Sequence, residues 1–298
     1  MPRDLTLAVA LIAAFVGFAI LARFVHRLIW NISIPKRLAQ EENAAHGIEL
    51  SGYLLGVLLI ASSVLGGISS GEHAASVQPG VNSDSMGIYA LQIAIYGIAG
   101  VVALGMFGRL GVKILLRVDM VKSIHANNVA AGIVAAAADI STALVIAGVF
   151  SGQTAGADFA VAIIFLLVGL GTLWAITYLY RFITSYNDSR EIMNENVAAA
   201  LSYAGMMIAV GMIVGHAVEG DFVGFGEAFM LYGKTLLAVL FLYPVRQFIV
   251  QGILLGDGFR LYGGRLDDEI SIRRNVGAGT IELAAYIVAA VIAFHVGY

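Results

Sequence analysis

The run Asn43-Ala44-Ala45-His46-Gly47-Ile48-Glu49-Leu50 opens an apolar stretch that continues to about residue 68, and its reading decides the fold. The pattern recurs three times, as Asn128-Val129-Ala130-Ala131-Gly132, Asn196-Val197-Ala198-Ala199-Ala200 and Asn275-Val276-Gly277-Ala278-Gly279. Each copy is an asparagine, then small or β-branched residues with His46 as the exception, then about twenty apolar residues, enough for a helix to cross a bilayer. Asparagine is a preferred N-cap because its side-chain oxygen accepts from an N–H that the first turn leaves unpaired. At a membrane boundary such groups are costly to leave bare. The small residues that follow let a neighbouring helix approach closely. Two readings follow. The four segments are capped, tightly packed helices, or their N-termini also gather around one axis and present a positive dipole end to an anion.

Composition agrees with a membrane location. Of 298 residues, 59% are hydrophobic and 12% charged, against about 25% charged in soluble domains. Mean hydropathy is +0.88. There is no cysteine, which excludes disulfides, thiolate zinc sites and cysteine nucleophiles. Apolar runs of spanning length fall at about 5–29, 44–68, 88–113, 127–150, 159–181, 196–218, 227–250 and 276–297. The first is too long for a cleavable signal and lacks a small-x-small cleavage site, so it reads as a retained span.

Lysine and arginine assign the faces. Arg23, Arg27, Lys36 and Arg37 flank or fill the first loop; Arg109, Lys113, Arg117 and Lys122 the third; Arg181 and Arg190 the fifth. Arg246 precedes the seventh loop, which holds Arg260, Arg265, Arg273 and Arg274. The second, fourth and sixth loops carry only acids: Glu72, Asp84, Asp158, Glu219 and Asp221. The positive-inside rule then expects the odd loops in the cytoplasm of a bacterial inner membrane and both termini in the periplasm. The first, third and fifth loops mix charged and apolar residues, as short interfacial segments do. Residues 69–87, rich in Ser, Gly and Asn, read as a mobile external loop.

The chain is internally duplicated. Ala8-Val9-Ala10-Leu11-Ile12 matches Ala160-Val161-Ala162-Ile163-Ile164, Glu42-Asn43 matches Glu195-Asn196, and Tyr96-Gly97 with Arg109 correspond to Tyr232-Gly233 with Arg246. The expected fold is all-α: eight spans in two four-span repeats, 1–152 and 153–298, each made of two units of one plain and one capped helix. Every unit has an even number of spans, so all copies share one orientation. Repeats of this kind are related by an axis along the membrane normal, which suggests a pseudo-twofold or pseudo-fourfold arrangement around a central space.

Asn43-Ala44-Ala45 followed by Gly52-Tyr53-Leu54-Leu55-Gly56, and His125-Ala126-Asn127-Asn128-Val129-Ala130-Ala131-Gly132, closely resemble the two signature helices of the YjfL-like proteins, the family called domain of unknown function 350. Its members are typically single four-span units, so this chain resembles two in tandem. The third and fourth copies are looser, with Ala200 in place of the glycine and Gly277 in place of the first alanine. The resemblance carries no established activity. Members often sit beside genes for PspA-like or band-7-like membrane-associated proteins and for ATP-grasp ligases, which implies envelope maintenance or polyamine-related chemistry by association. The expected partners are the bilayer, a PspA-like or band-7-like protein, and further copies of the chain; nucleic acid is not among them.

Ionisable groups inside spans are the pointers to function, since each costs about 2.5–3.5 kcal/mol at the centre of a bilayer. At about 1.5 Å per residue, Glu49 lies roughly 9 Å above its cap, Glu282 roughly 10 Å above Asn275, and Asp139 roughly 16 Å above Asn128. Ser202 takes the position of Glu49 on the third copy. Glu49 shares a helical stripe with Gly52 and Gly56, and Glu282 with Ala278 and Ala285, so both acids point at other helices. Either these acids ring one cavity and conduct a cation or protons, or they are protonated and bonded between helices. His46, one turn below Glu49, extends such a path or is a simple interface histidine. Lys234 reads as the one basic residue deep within a span, either paired with Asp139 or snorkelling outward. No nucleotide, zinc-protease, serine-hydrolase or calcium pattern is present, so neither an enzyme nor a cofactor or metal is expected. The leading expectation is a channel or transporter for a small cation or polar solute. The alternative is a non-transporting scaffold that recruits cytoplasmic envelope-stress or band-7-like proteins.

Overall fold

The structure is a computed structural model that describes residues 3–30, 33–70, 83–151, 159–219, 222, 224–258, 260 and 262–296. Most of the external loop expected at 69–87 lies outside the described residues. Eight helices are long and apolar enough to cross a membrane, at Ile12–Trp30, Ala44–Leu65, Ile93–Leu116, Val129–Ser151, Ala160–Tyr180, Val197–Ala217, Phe225–Leu254 and Val276–Phe294. The eight expected spans are all there. In chain order the α-helices are α1 (Arg3–Trp30), α2 (Ala44–Ser70), α3 (Ser83–Leu116), α4 (Met120–His125), α5 (Val129–Ser151), α6 (Phe159–Tyr180), α7 (Asp188–Met193), α8 (Val197–Ala217), α9 (Phe225–Leu236), α10 (Val239–Arg246), α11 (Arg265–Ser271) and α12 (Val276–Val296).

The asparagines cap as expected. The Oδ1 atoms of Asn43, Asn128, Asn196 and Asn275 accept from the backbone N–H groups of His46 (2.7 Å), Ala131 (3.0 Å), Ala199 (3.2 Å) and Ala278 (3.3 Å). The residue before each, Glu42, Asn127, Glu195 or Arg274, has a left-handed backbone with φ between 49° and 63°. That conformation is uncommon for a residue with a Cβ, and it turns the chain sharply out of the preceding short segment.

Each asparagine also has an amide to donate, and three of the four reach into the next unit. Asn43 donates to the Ile124 carbonyl (2.8 Å) at the end of α4, Asn128 to Ile192 (3.0 Å) in α7, and Asn196 to Ile270 (2.9 Å) in α11. These carbonyls close the last turns of the short helices, and those of Ile124 and Ile192 also accept from the backbone N–H groups of Asn127 (3.0 Å) and Glu195 (3.1 Å). Asn275, last in the series, donates to the Glu269 carboxylate of its own unit (2.9 Å). The short helices are therefore stitched to the capped ones along a line.

Packing follows the same line: α2 lies on α5, α5 on α8, and α8 on α12. These neighbours run the same way, because contacts near one pair of caps are matched by contacts far from both. Gly132 meets Ala45 and Gly52 meets Ala136, while Ser63 donates to the Ala147 carbonyl (2.5 Å) near the far end. α5 and α8 touch main chain to main chain: a side chain at Gly148 would strike the backbone of Gly215, and one at Gly215 the backbone of Leu144. The two central spans have 78% of their length buried, against 22% for the α1 span and 33% for that of α3. The capped helices are the inner row and the plain helices flank it.

This arrangement corrects the expected symmetry. A pseudo-twofold relating the repeats maps α2 onto α8 and α5 onto α12, and so demands an α2–α12 interface equal to that of α5 with α8. Among the described residues α2 and α12 form no comparable interface. The units follow one another in an open row, and the midpoint is filled by small residues of α5 and α8, not by a chamber.

The seventh span also departs from a plain helix. It is interrupted at Leu237–Ala238, contains Pro244, and continues as a π-helical segment Gln247–Leu254. Proline removes a backbone donor and crowds the preceding turn, and wide turns of this kind are frequent at functional sites.

Candidate functional site

Two buried polar centres lie near the capped ends of the spans, one in each repeat. The first joins α1 and α2. His26, His46 and Glu49 are each 0% exposed. His26 Nε2 lies 2.9 Å from Glu49 Oε1 and 3.1 Å from Oε2. His46 Nδ1 is 3.2 Å from Oε2, yet is not aligned for a hydrogen bond, and its Nε2 is also unpartnered. Helical spacing explains the pair on α2, since three residues separate His46 from Glu49 and place both on one face. Trp30 stacks on His26 at 5.9 Å between ring centroids, and Tyr53 packs against it at 5.2 Å with its hydroxyl unpartnered. One ligand atom from each of the three residues lies within 4.8 Å of the other two, a separation that a metal ion can bridge. Deeper along α5, Asp139 packs against Gly108 of α3 and Gly56 of α2, and one carboxyl oxygen has no hydrogen-bond partner.

The second centre joins α10, the π-helical segment, α11 and α12. Arg246 is 0% exposed and pairs with Glu282, also 0% exposed. Asp267 lies 3.9 Å from the same guanidinium nitrogen. Arg246 also donates to Gln247 and sits over the rings of Tyr243 (5.2 Å) and Tyr286 (5.7 Å). A fully desolvated cation is tolerated only with such a set of anions, dipoles and aromatic faces. The backbone N–H of Ser185 donates to Asp267 (3.0 Å), which ties this centre to the loop before α7.

Beside it, Asp188 of α7 is buried outside the spans. Burial pushes its carboxyl up to about 7, and Arg181, 3.8 Å away, offsets only part of that effect.

The family model described as Domain of Unknown Function (DUF350) matches residues 2–150 and again residues 154–296. The chain belongs to the DUF350 family, as two copies in tandem. No curated protein and no solved structure matches it.

Within this DUF350 pair the expected site residues separate. Glu49 and His46 come together, joined by His26, which sequence reasoning passed over. Glu282 belongs to the other repeat and turns to Arg246. Asp139 lies between α2, α3 and α5, near the first centre only. Glu49, Asp139 and Glu282 therefore do not ring one cavity. Lys234 forms no ion pair with Asp139. It is exposed and lines an apolar groove of about 370 Å³ with Ile213, Phe241 and Ala289. Outward snorkelling accounts for it.

Arg246 corrects a second reading. Its sequence position at the end of a span suggests a surface charge, but it is fully buried against Asp267 of α11 and Glu282 of α12. Its counterpart Arg109 takes the opposite course, donating to the Ile29 carbonyl and lying over Trp30 at 5.6 Å. The sign of a charge was legible in the sequence; the direction of the side chain was not, because its partners Asp267 and Glu282 lie on other elements.

Proposed function

We propose that this DUF350 protein is a non-transporting scaffold of the bacterial inner membrane, with both termini periplasmic and the four asparagine ends at the cytoplasmic face. One observation carries the reading: the buried acids close on separate partners in separate repeats, Glu49 on two histidines and Glu282 on Arg246. A conducting path along the repeat axis needs them to share one space, and that axis is occupied by the packed small residues of α5 and α8. The distribution of lysine and arginine supports the sidedness.

At the capped ends the stitched short helices leave two clefts that share Arg117. One of about 510 Å³ is lined by Arg109, Lys113, Arg117 and Asp119, the other of about 460 Å³ by Arg117, Arg181 and Asp188. A row of fixed cations on a rigid platform suits an acidic surface of a membrane-associated partner. The gene neighbourhoods typical of the family point to a PspA-like or band-7-like protein.

A second reading has one observation in its favour. The unpartnered Asp139 oxygen above Glu49 continues the first centre into the span, as a proton path confined to one repeat would. Proteoliposomes separate the two. The scaffold reading expects proton and cation leak no greater than in protein-free vesicles. It also expects co-flotation of the partner with wild type, and its loss in Lys113→Glu/Arg117→Glu. A saturable flux abolished by Glu49→Gln, or partner binding indifferent to the charge reversal, overturns it.

A further inference from the structure

We propose that His26, His46 and Glu49 form a binding site for one divalent transition-metal ion, with Zn²⁺ as its reference occupant. The inference holds whether the molecule is a scaffold or conducts. It begins from charge. Glu49 is buried, and among the described residues no lysine or arginine lies within ion-pair distance of it; its contacts are two imidazoles. A buried carboxylate needs a compensating cation. The second repeat supplies one, Arg246 on Glu282. The first repeat holds an equivalent arginine, Arg109, but sends it away over Trp30. Only a proton or a bound metal ion is left to balance Glu49.

Geometry favours the metal. The donor set is two imidazole nitrogens and one carboxylate, which is the ligand type of open zinc sites and of two-histidine iron sites. Bonds of about 2.0–2.1 Å to a tetrahedral ion place ligand atoms roughly 3.3 Å apart. The observed edges are 2.9 Å from His26 Nε2 to Glu49 and 3.2 Å from His46 Nδ1 to Glu49. His46 Nδ1 approaches the carboxylate without the alignment of a hydrogen bond. Both ring nitrogens of His46 are without a hydrogen-bond partner and so free to ligate, whereas His26 Nε2 would exchange its hydrogen bond to Glu49 for a bond to the ion. Three protein ligands leave one position open, and the unpartnered Tyr53 hydroxyl beside His26 can bond whatever fills it.

The internal duplication supplies a comparison within the same chain. Ala199 and Ser202 occupy the positions of His46 and Glu49, with Ala199 bonded to its cap as His46 is to Asn43. The second copy therefore cannot build the site, and the stoichiometry is one ion per chain, not two. His46 sits in the first turn after its cap, so the site lies roughly 5–10 Å from the capped end.

The test uses the intact protein in detergent, stripped with a chelator and then dialysed against Zn²⁺ or Co²⁺. Wild type is expected to retain about one Zn²⁺ per chain. With Co²⁺ it is expected to show the intense visible bands of a four-coordinate ion. His26→Ala and His46→Ala should each weaken Zn²⁺ binding at least ~100-fold, beyond what loss of an outer-shell partner costs. His216→Ala should leave it unchanged. Featureless Co²⁺ spectra with Zn²⁺ below about a tenth per chain would overturn the site and leave Glu49 paired with a protonated histidine. Metal retained by a monodisperse His26→Ala or His46→Ala protein would also overturn it. If neither variant folds, the wild-type Co²⁺ spectrum decides alone.

Discussion

At the scale of single residues, the four asparagines are not equivalent, although the sequence presents them as copies. Each caps its own helix, and the first three also bind the next unit. Loss of a cap costs about 1 kcal/mol, and loss of the hydrogen bond to the next unit adds roughly 0.5–1.5 kcal/mol. Asn128→Ala is therefore expected to destabilise by about 1.5–2.5 kcal/mol in thermal or denaturant unfolding, and Asn275→Ala by less, since its amide bonds within its own unit to a Glu269 carboxylate that keeps Arg273 as a partner. The capping oxygen was legible because it acts within its own helix. The amide's target was not, since it depends on which unit lies alongside. His26 was hidden for the same reason: it lies in a plain span, 23 residues from Glu49, and nothing in its neighbours marks it. Asp188 gives a pH dependence with a definite sign. Its carboxyl titrates at about 7 when folded and at 3.8 when unperturbed, so the folded state holds a proton that the unfolded state releases. Stability then falls as pH rises from about 4 to about 7 and is flat above. At about 1.4 kcal/mol per unit the full span amounts to roughly 4 kcal/mol. Melting curves from pH 5 to pH 8 should show wild type losing stability relative to Asp188→Asn; parallel curves would contradict the assignment.

At the scale of elements, glycine decides how close the inner row can pack. Gly52 lies on the backbone of Ala136 and Gly205 on that of Leu283, equivalent contacts in the two repeats. Gly52→Val and Gly205→Val are each expected to cost about 2–3 kcal/mol, since the obstruction is main chain and cannot rotate away. Gly171, on the flanking helix α6, meets nothing within 4 Å. Gly171→Ala should be neutral or stabilise by about 0.5–1 kcal/mol through helix propensity. Unfolding of the three variants in one detergent checks the ranking. Spans were legible because a bilayer imposes length and apolarity on them. The break at Leu237–Ala238 and the π-helical segment Gln247–Leu254 were not, because both stay as apolar as the span around them. The third and fifth loops, expected as short interfacial segments, hold α4 and α7, whose caps follow the same side-chain rule: Asp119 accepts from the Lys122 N–H and Asn187 from that of Arg190.

At the scale of the whole molecule, duplication alone does not say whether copies close into a ring or extend as a row. Both use the same helices and the same interfaces between consecutive units; they differ only in whether the last meets the first. The interface that would close the ring is the one missing here, and with it goes the shared chamber. What remains is a row of parallel capped helices with two unlike polar centres, one built on histidines and one on arginine. This row, with all four asparagine ends on one face, underlies the platform, the sidedness and the separation of the acids. The chain has no cysteine, so single cysteines at exposed Glu42, Lys122, Arg190 and Arg273, and at Glu219 beyond the far end of α8, can be labelled without background. With a membrane-impermeant maleimide on right-side-out and inverted vesicles, the first four should react only from the cytoplasmic face and Glu219→Cys only from the other. Any two of the first four reacting from opposite faces would contradict the parallel row.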